Sequence, residues 1–555
     1  MTVVSPRAIS DIKTCGDVFD NCATLAAQKT MEERQDYKIF WIIILMLLLF
    51  TRLPAMASYL SVDNVNLAFS LEKFDPRIHQ PQPPGYPFFV GFARIINYVF
   101  RDPERTFIAI SVLVSGLSVF LGFLLAKRMF SSWAGVAAGF LLLVNPVFWF
   151  SGLDGPLRPN LALFSLLTAY CCWRCWNGEK RFAVWGAIAL GIGSGFRPDL
   201  IAFLFPLWIV STWLGTKSLR TLLTAGAVLA AIVMVWVGAL LVAMGGMQSF
   251  RQIMVEYAVD QSQGESVVLG SAVVAWLRQV NRLVIWNGLG VITWIWVIPL
   301  CLMERQRIRA INSQVKFLFT WLVPGLIVQA LIHVAAPGHT LFSIPALCIL
   351  GGYTVSLVRR RDWILTSVLV LNVMLFLNFL SLPADAAAPA GQRAPSIKNA
   401  FLYGTFETSL GQIRWLDDVS RTTLKELEEF TPKDRPSMII TTDTYSDQWF
   451  MNWRIGRYYL PDRDFWVLYQ RGSANGVQRI RRDVVWDKLE NTSVKLPIFK
   501  EGRVLWLVEP QSEVLRQLGS VYKLGGGRYV YYTDIAAGSP SITLKGIEIV
   551  PHGIQ

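Results

Sequence analysis

Charged residues are scarce in this chain. Only 16% of its residues are Asp, Glu, Lys or Arg, against about a quarter in soluble domains. With 53% hydrophobic residues and a mean hydropathy of +0.41, that scarcity excludes an ordinary soluble protein and indicates a membrane protein. Cysteine is also sparse. The last of the seven is Cys348, so no disulfide framework supports the long C-terminal region. Cys172 and Cys175 have C-x-x-C spacing, but Trp173 and Arg174 stand between them and no second ligand pair follows; packing at an apolar helix end is the better reading than zinc or redox chemistry. No signal peptide is expected, because residues 1–38 are mixed and polar and the first apolar run is followed by further runs rather than a cleavage site. Neither an internal repeat nor a Gly-rich phosphate loop after a strand is present, which argues against a nucleotide site. The net charge of +13 would suggest nucleic acid in a soluble protein, but here the basic residues fall in turns between apolar runs. The membrane's charge rule accounts for them, and nucleic acid is not an expected partner.

About eleven apolar runs cross a bilayer or come close to it: 39–58, 106–126, 132–150, 160–176, 182–196, 199–215, 221–244, 283–303, 316–335, 339–357 and 362–381. A further run, 86–100, is short and interrupted by Arg94. Alternate turns collect Lys127 and Arg128; Arg174, Lys180 and Arg181; Lys217 and Arg220; Arg305, Arg307, Arg309 and Lys316; and Arg359 to Arg361. The positive-inside rule puts those turns and the N-terminus in the cytoplasm and the C-terminus outside. If 86–100 also crossed, every later basic turn would be exported, so it reads as a helix along the outer interface.

The expected organisation is a cytoplasmic segment 1–38, a membrane domain 39–381 with a first outer loop 60–105, a linker 382–400, and an extracytoplasmic α/β domain 401–555. The last rests on alternation. "RWLDDVSRTTLKELEEF" reads as helix, while "SMIITTD", "DFWVLYQ", "RVLWLVEP", "RYVYYTD" and "SITLKGIEIV" read as strands.

The first outer loop carries the most information. In "SVDNVNLAFSLEKFDPRIHQPQPPGYPFF", Asp63, Asn66, Ser70 and Lys73 share one helical stripe beside Leu67, Leu71 and Phe74. That predicts an amphipathic surface helix whose polar stripe faces an aqueous cavity. Prolines 76, 81, 83, 84 and 87 then forbid its continuation. The order of one membrane helix, an acid at the start of the loop, an amphipathic helix and an H-x-P-x-P-P-G-Y-P turn resembles the GT-C class of polytopic glycosyltransferases. The dolichyl-phosphate-mannose protein mannosyltransferases and lipid A aminoarabinose transferases are the relatives it resembles most. "ALGIGSGFRPDLIAFLFPL" is similar to that class's Arg-Pro-Glu junction, with Asp199 in place of Glu. The resemblance covers roughly 39–215 and weakens beyond.

The resemblance implies a sugar transfer from a polyprenyl-phosphate-linked donor to the hydroxyl of an envelope glycan, lipid or protein acceptor, outside a bacterial inner membrane or its equivalent. It carries the role of catalytic base to Asp63; a helix cap is the alternative reading. Asn64 stands where many members have a second acid, so clustered carboxylates for a divalent cation are lacking; no cofactor is predicted, and a divalent cation stays the less favoured alternative. A departing phosphate needs positive charge or donors nearby, for which Arg197, Lys73, Arg77, His79, Arg158 and His339 are the candidates. Arg197 reads equally as a headgroup anchor, and His339 as part of a solvated turn. Asp154 and Asp199 are secondary acids, with Asn160 competing for the place of Asp154. Two rivals remain: a transporter or flippase, expected to show mid-membrane charges and repeated halves, and a non-catalytic envelope scaffold.

Overall fold

The computed structural model describes residues 39, 41–262, 266–303, 311–334, 336–378, 401, 404–431, 437–442, 453–463, 465–471, 474–479, 494–498, 501–508, 513–536, 539, 542–544 and 547–553. The expected segment 1–38 and linker 382–400 lie outside the described residues. Residues 1–54 and 55–555 form two compact units. The first contributes most of an apolar helix, α1 (Trp41–Ala55).

The second unit continues with α2 (Val62–Glu72), α3 (Pro87–Phe100), α4 (Pro103–Met129), α5 (Ser132–Val144), α6 (Pro146–Asp154), α7 (Pro159–Trp176), α8 (Phe182–Phe196), α9 (Asp199–Thr216), α10 (Leu219–Ala243), α11 (Met247–Ser262), α12 (Val273–Gly288), α13 (Val297–Met303), α14 (Asn312–Leu331), α15 (Ile344–Ser356) and α16 (Arg361–Leu377). Among the described residues, α4, α9, α10 and α14 are long and apolar enough to cross a membrane, and α5 with α6 make a fifth span bent by 50°. This is fewer than the eleven spans expected from apolar runs, and the breaks have local causes. Pro146 cannot continue α5, and Asn145 restarts the chain as α6 by accepting from the Phe148 N–H at 3.1 Å. The run 283–303 breaks at Gly288-Leu289-Gly290 into α12 and α13, where glycine weakens a helix. The run 339–357 opens as a 3₁₀ turn, Pro337–Phe342, before α15 begins.

Helix α4 has 27 residues, a rise of about 40 Å, and so measures the bundle from end to end. At its C-terminal end, Arg128 lies over the Tyr170 ring at 5.5 Å and Gln314 donates to the Met129 carbonyl at 3.0 Å. Arg174 lies over Phe182 at 4.3 Å, and Arg361 over Trp133 at 4.9 Å. Among the described residues, the basic turns of Lys127-Arg128, Arg174 and Arg359–Arg361 therefore gather at one end. Small residues bring the helices close together: a Cβ on Gly352 of α15 would stand 2.6 Å from the backbone nitrogen of Ala138 in α5. Helix α3 has 14 residues, roughly 21 Å and too short to span. Phe89, Val90 and Ala93 face inward while Ile95, Tyr98 and Val99 are exposed.

The C-terminal region contains α17 (Leu410–Phe430), β1 (Ser437–Thr442), α18 (Trp453–Tyr459), β2 (Phe465–Arg471), β3 (Ala474–Arg479), β4 (Val494–Ile498), β5 (Glu501–Leu507), α19 (Glu513–Val521), β6 (Gly525–Gly526), β7 (Tyr531–Ala536), β8 (Ile542–Leu544) and β9 (Ile547–Gly553). A six-stranded sheet has the order β3-β2-β1-β5-β7-β6, with β1 parallel to both β2 and β5. A three-stranded sheet has the order β4-β9-β8. The core between the larger sheet, α17 and α18 includes Leu427, Ile439, Phe465, Leu505 and Val530, and it extends to Val65 and Phe69 of α2. Helix α2 is thus shared by the sheet and the helical bundle.

Candidate active site

Helix α2 begins at Ser61, whose extended backbone (ψ 166°) sets the turn, and ends before Asp75-Pro76. Asp63 sits in its first turn, where unsatisfied N–H groups and the helix dipole favour a carboxylate. Its side chain is 55% exposed. The expected polar stripe is only partly open. Asn66 and Ser70 are buried, and Ser70 donates to the Leu67 carbonyl at 2.6 Å. The stripe is buried because α2 is covered by α18 and the sheet on one side and by α3 on another. Arg94, which interrupts the α3 run, donates to the carbonyls of Ser70 (2.8 Å) and Leu71 (3.1 Å) and so closes the C-terminal end of α2.

Asn64, the residue in place of a second acid, is a strut. Its side-chain N–H₂ donates to Ser61 Oγ at 3.0 Å and to the Asp154 carbonyl at 2.5 Å. Gly155 makes room for it, since a Cβ there would overlap the Asn64 amide. The strut brings the end of α6 to the start of α2. Arg158, at the start of α7, then bridges two acids, with Nη1 2.7 Å from Asp154 Oδ2 and Nη2 3.8 Å from Asp63 Oδ2. Asn160 points elsewhere and donates to the Pro156 carbonyl at 2.8 Å; of the two candidates, Asp154 is the one beside Asp63.

Arg197 lies between α8 and α9 and is buried. It donates to Asp199 Oδ2 from Nη2 at 2.8 Å and to Oδ1 from Nε at 3.3 Å. Burial disfavours its charge, yet Asp199 holds it above the ordinary guanidinium value. Its guanidinium stands 5.6 Å from the ring of Tyr86. Burial pushes the Tyr86 phenol up to about 12; the positive charges of Arg197 and Arg158 oppose this, while Asp63 and Asp199 reinforce it. One buried phenol thus feels four charges that the sequence places on α2, α7, α8 and α9. His339 joins the same field. Burial, followed by the charges of Arg197 and Arg158 and by His333, holds its imidazole well below the usual histidine range. Arg158 packs so closely over Gly338 that a Cβ there would overlap its Cδ.

The structure therefore sets Asp63, Arg158, Arg197 and Asp199 in the field of Tyr86, with Asp154 paired to Arg158 and His339 feeling the charges of Arg158 and Arg197. Lys73, Arg77 and His79 are at the far end of α2, roughly 15 Å along the helix. Arg77 grips Asp75 with two hydrogen bonds (2.8 and 2.9 Å), Lys73 stands 3.9 Å from the same carboxylate, and His79 closes the 3₁₀ turn Pro76–Ile78 in a left-handed conformation. Among the described residues, no group of three or more His, Cys, Asp or Glu side chains is placed to hold a metal ion. Tyr86 and the Asn64 strut were not legible as site residues. The available signal was the G-Y-P triplet, which sets an aromatic residue at φ 48° directly before a proline-started helix. In chemical terms the cluster offers an accessible carboxylate, two guanidiniums and a neutral imidazole.

Comparison with known proteins bears out the resemblance. Residues 81–241 match the family described as dolichyl-phosphate-mannose-protein mannosyltransferase. That stretch contains Asp154, Arg158, Arg197 and Asp199 but neither Asp63 nor His339. The crystal structure of ArnT from Cupriavidus metallidurans bound to undecaprenyl phosphate matches with a TM-score of 0.57 at 13% identity, over 90% of this chain and 98% of that one. The same protein in its apo state matches at 0.55 and 15% identity, with the same coverage. The archaeal oligosaccharyltransferase AglB from Archaeoglobus fulgidus, in complex with an inhibitory peptide and a dolichol-phosphate, gives 0.37 at 12% identity over 74% of this chain and 62% of that one, too low to bear on the fold. No curated protein matches by sequence. The fold is that of the ArnT structures, mostly helical with several apolar helices.

Proposed function

We propose that the chain is a membrane glycosyltransferase that moves a sugar from a polyprenyl-phosphate-linked donor to an acceptor hydroxyl, with Asp63 as general base. The observation that carries this reading is the pairing of an exposed carboxylate on α2 with Arg158, inside a cluster that also holds Arg197 and a neutral His339. Asp63 takes the proton of the acceptor hydroxyl as its oxygen bonds to the anomeric carbon. The bond from that carbon to the donor phosphate breaks, and the phosphate oxygen keeps the electron pair. Arg158 and Arg197 neutralise the developing dianion, and each is already oriented by a carboxylate, Asp154 and Asp199 respectively. The undecaprenyl phosphate in the ArnT crystal structure supports a lipid phosphate of this kind as donor carrier and product.

The site lies at the end of the bundle away from the basic turns, by the first turn of α4 with Glu104 rather than its last turn with Lys127 and Arg128. By the positive-inside rule that end is extracytoplasmic, which supports transfer on the outer face of a bacterial inner membrane or its equivalent, with the N-terminus cytoplasmic. The test is incubation of the purified protein with undecaprenyl-phosphate-linked mannose, arabinose and aminoarabinose, following release of undecaprenyl phosphate. Donor is expected to be consumed by wild type and not by Asp63→Asn. Equal consumption by both rejects Asp63 as base. Consumption by neither, with donor carried across vesicle membranes instead, favours a flippase.

A further inference from the structure

The backbone that leads into Asp63 is held by residues about 360 to 400 positions later in the chain. Asp417 of α17 accepts from the N–H of Ser58 at 2.7 Å and of Tyr59 at 3.3 Å. Arg414 holds that carboxylate at 3.0 Å and donates to the Met56 carbonyl at 3.2 Å. The Tyr459 hydroxyl of α18 accepts from the Leu60 N–H at 2.9 Å and donates to Glu104 Oε1 of α4 at 2.9 Å. Tyr59 meets the Tyr459 ring edge to face at 5.3 Å, and Phe69 meets Tyr458 at 5.8 Å. Residues 58–60 thus spend three consecutive amide donors on side chains of the C-terminal region instead of on water. A cavity of about 50 Å³, lined in part by Tyr59, Leu60, Asn64, Glu104, Ser111 and Asp154, adjoins the segment.

We propose that the C-terminal α/β region is a positioning element for the base, with Tyr459 and Asp417 as positioning residues that fix residues 58–60 and, through them, the first turn of α2. A catalytic carboxylate displaced by about 1 Å loses on the order of 100-fold in rate; the Ser61 hydroxyl makes no capping bond to the helix backbone, and its local partners, the Asn64 amide at 3.0 Å and the Val65 N–H at 2.9 Å, do not reach residues 58–60. Tyr459 is suited to the task because it ties α2 to α4 as well as to the sheet, and because burial, with Glu104 adding to it, keeps its phenol protonated. The inference rests on the reading of Asp63 as the base.

The test uses the full-length protein in nanodiscs with the undecaprenyl-phosphate-linked sugars named above. Tyr459→Phe keeps the ring and removes both hydrogen bonds, and Asp417→Asn keeps the shape and weakens the grip on Ser58 and Tyr59. Arg528→Ala, elsewhere on the same region, is the control. The expected result for Tyr459→Phe is a kcat reduced about 10- to 100-fold with the donor KM unchanged, and faster hydrogen exchange confined to residues 58–66. Asp417→Asn is expected to change both in the same direction by less, and Arg528→Ala to change neither. An unchanged exchange rate over 58–66 overturns the clamp even if Asp63→Asn is inactive. An unchanged kcat, or an equal loss in Arg528→Ala, overturns its positioning role. Turnover by Asp63→Asn instead removes the base reading, while the exchange result still decides whether the clamp exists.

Discussion

Arg181 and Arg361 at one end of the helical bundle and Arg158 and Arg197 at the other are handled in different ways. At the end formed by the basic turns Arg181 has a 73% exposed side chain over Phe182 and Arg361 lies over Trp133, while Arg174, 14% exposed, lies over Phe182 and pairs with the surface carboxylate of Glu179. At the other end Arg158 and Arg197 are enclosed and paired with acids. Arg197 is 9% exposed and locked to Asp199, and Arg158 is 22% exposed between Asp154 and Asp63. An exposed arginine stacked on a ring serves a membrane boundary at little energetic risk. A buried one carries a desolvation cost that a fold tolerates when the pair has a further use, and such groups concentrate at functional sites. The contrast supports the second end as the place of the proposed chemistry.

The largest effect that could break this contrast is at Asp63. Asp63→Asn keeps the shape and the hydrogen-bonding reach but removes the base, so turnover is expected to fall by about 10²–10⁴-fold with little change in thermal stability. Measuring undecaprenyl phosphate release and Tm on the same preparation checks both halves. The next effect compares the two ends directly. Arg197→Ala strands Asp199 and empties the space beside Tyr86, so it is expected to cost several kcal/mol, on the scale of a broken buried pair, and to reduce turnover more than 10-fold. Arg181→Ala at the other end is expected to stay within about 0.5 kcal/mol and to leave turnover unchanged. Equal losses in Tm for the two variants would mean that the ends do not differ as described.

A third prediction concerns what the sequence concealed. Gly155→Ala places a Cβ against the Asn64 amide and is expected to cost about 1–3 kcal/mol, with a loss of activity because α6 and Asp154 shift away from α2. A thermal melt with a parallel turnover measurement decides it. Asp63, Arg158, Arg197 and His339 could be nominated from sequence because short motifs in a fixed order, together with the alternation of basic turns, put them on one side of the membrane. Asn64 could not be recognised as a strut, since its partner carbonyl is 90 residues away and helical periodicity reports only on neighbours three and four apart. For the same reason Asn66 and Ser70 looked like an open polar stripe. The sheet elements that cover α2 come from Leu424 onward, and nothing in the α2 sequence announces them. Lys73 and Arg77 looked equivalent to Arg158 as cations of the outer loop. Only the fold shows that they serve Asp75 at the other end of the helix.

The smallest predicted effect sharpens the contrast through pH. His339 is enclosed with Arg158 and Arg197, so burial first and these two positive charges next keep its folded pKa well below the ordinary value, which is about 6.5 in the unfolded chain. Above that value both states hold a neutral imidazole, and His339 makes no pH-dependent contribution. As pH falls through about 6.5, the unfolded chain takes up a proton that the folded one refuses, so stability declines with a slope approaching about 1.4 kcal/mol per pH unit for one proton. His339→Gln, which cannot protonate in this range, is expected to flatten the decline in Tm between pH 7 and pH 5, whereas a neutral substitution among the aromatic partners of the basic end, Trp133→Phe, leaves it intact. If wild type and His339→Gln lose stability in parallel over that range, the imidazole is not held neutral by its burial and the two arginines together, and the environment assigned to this end is wrong.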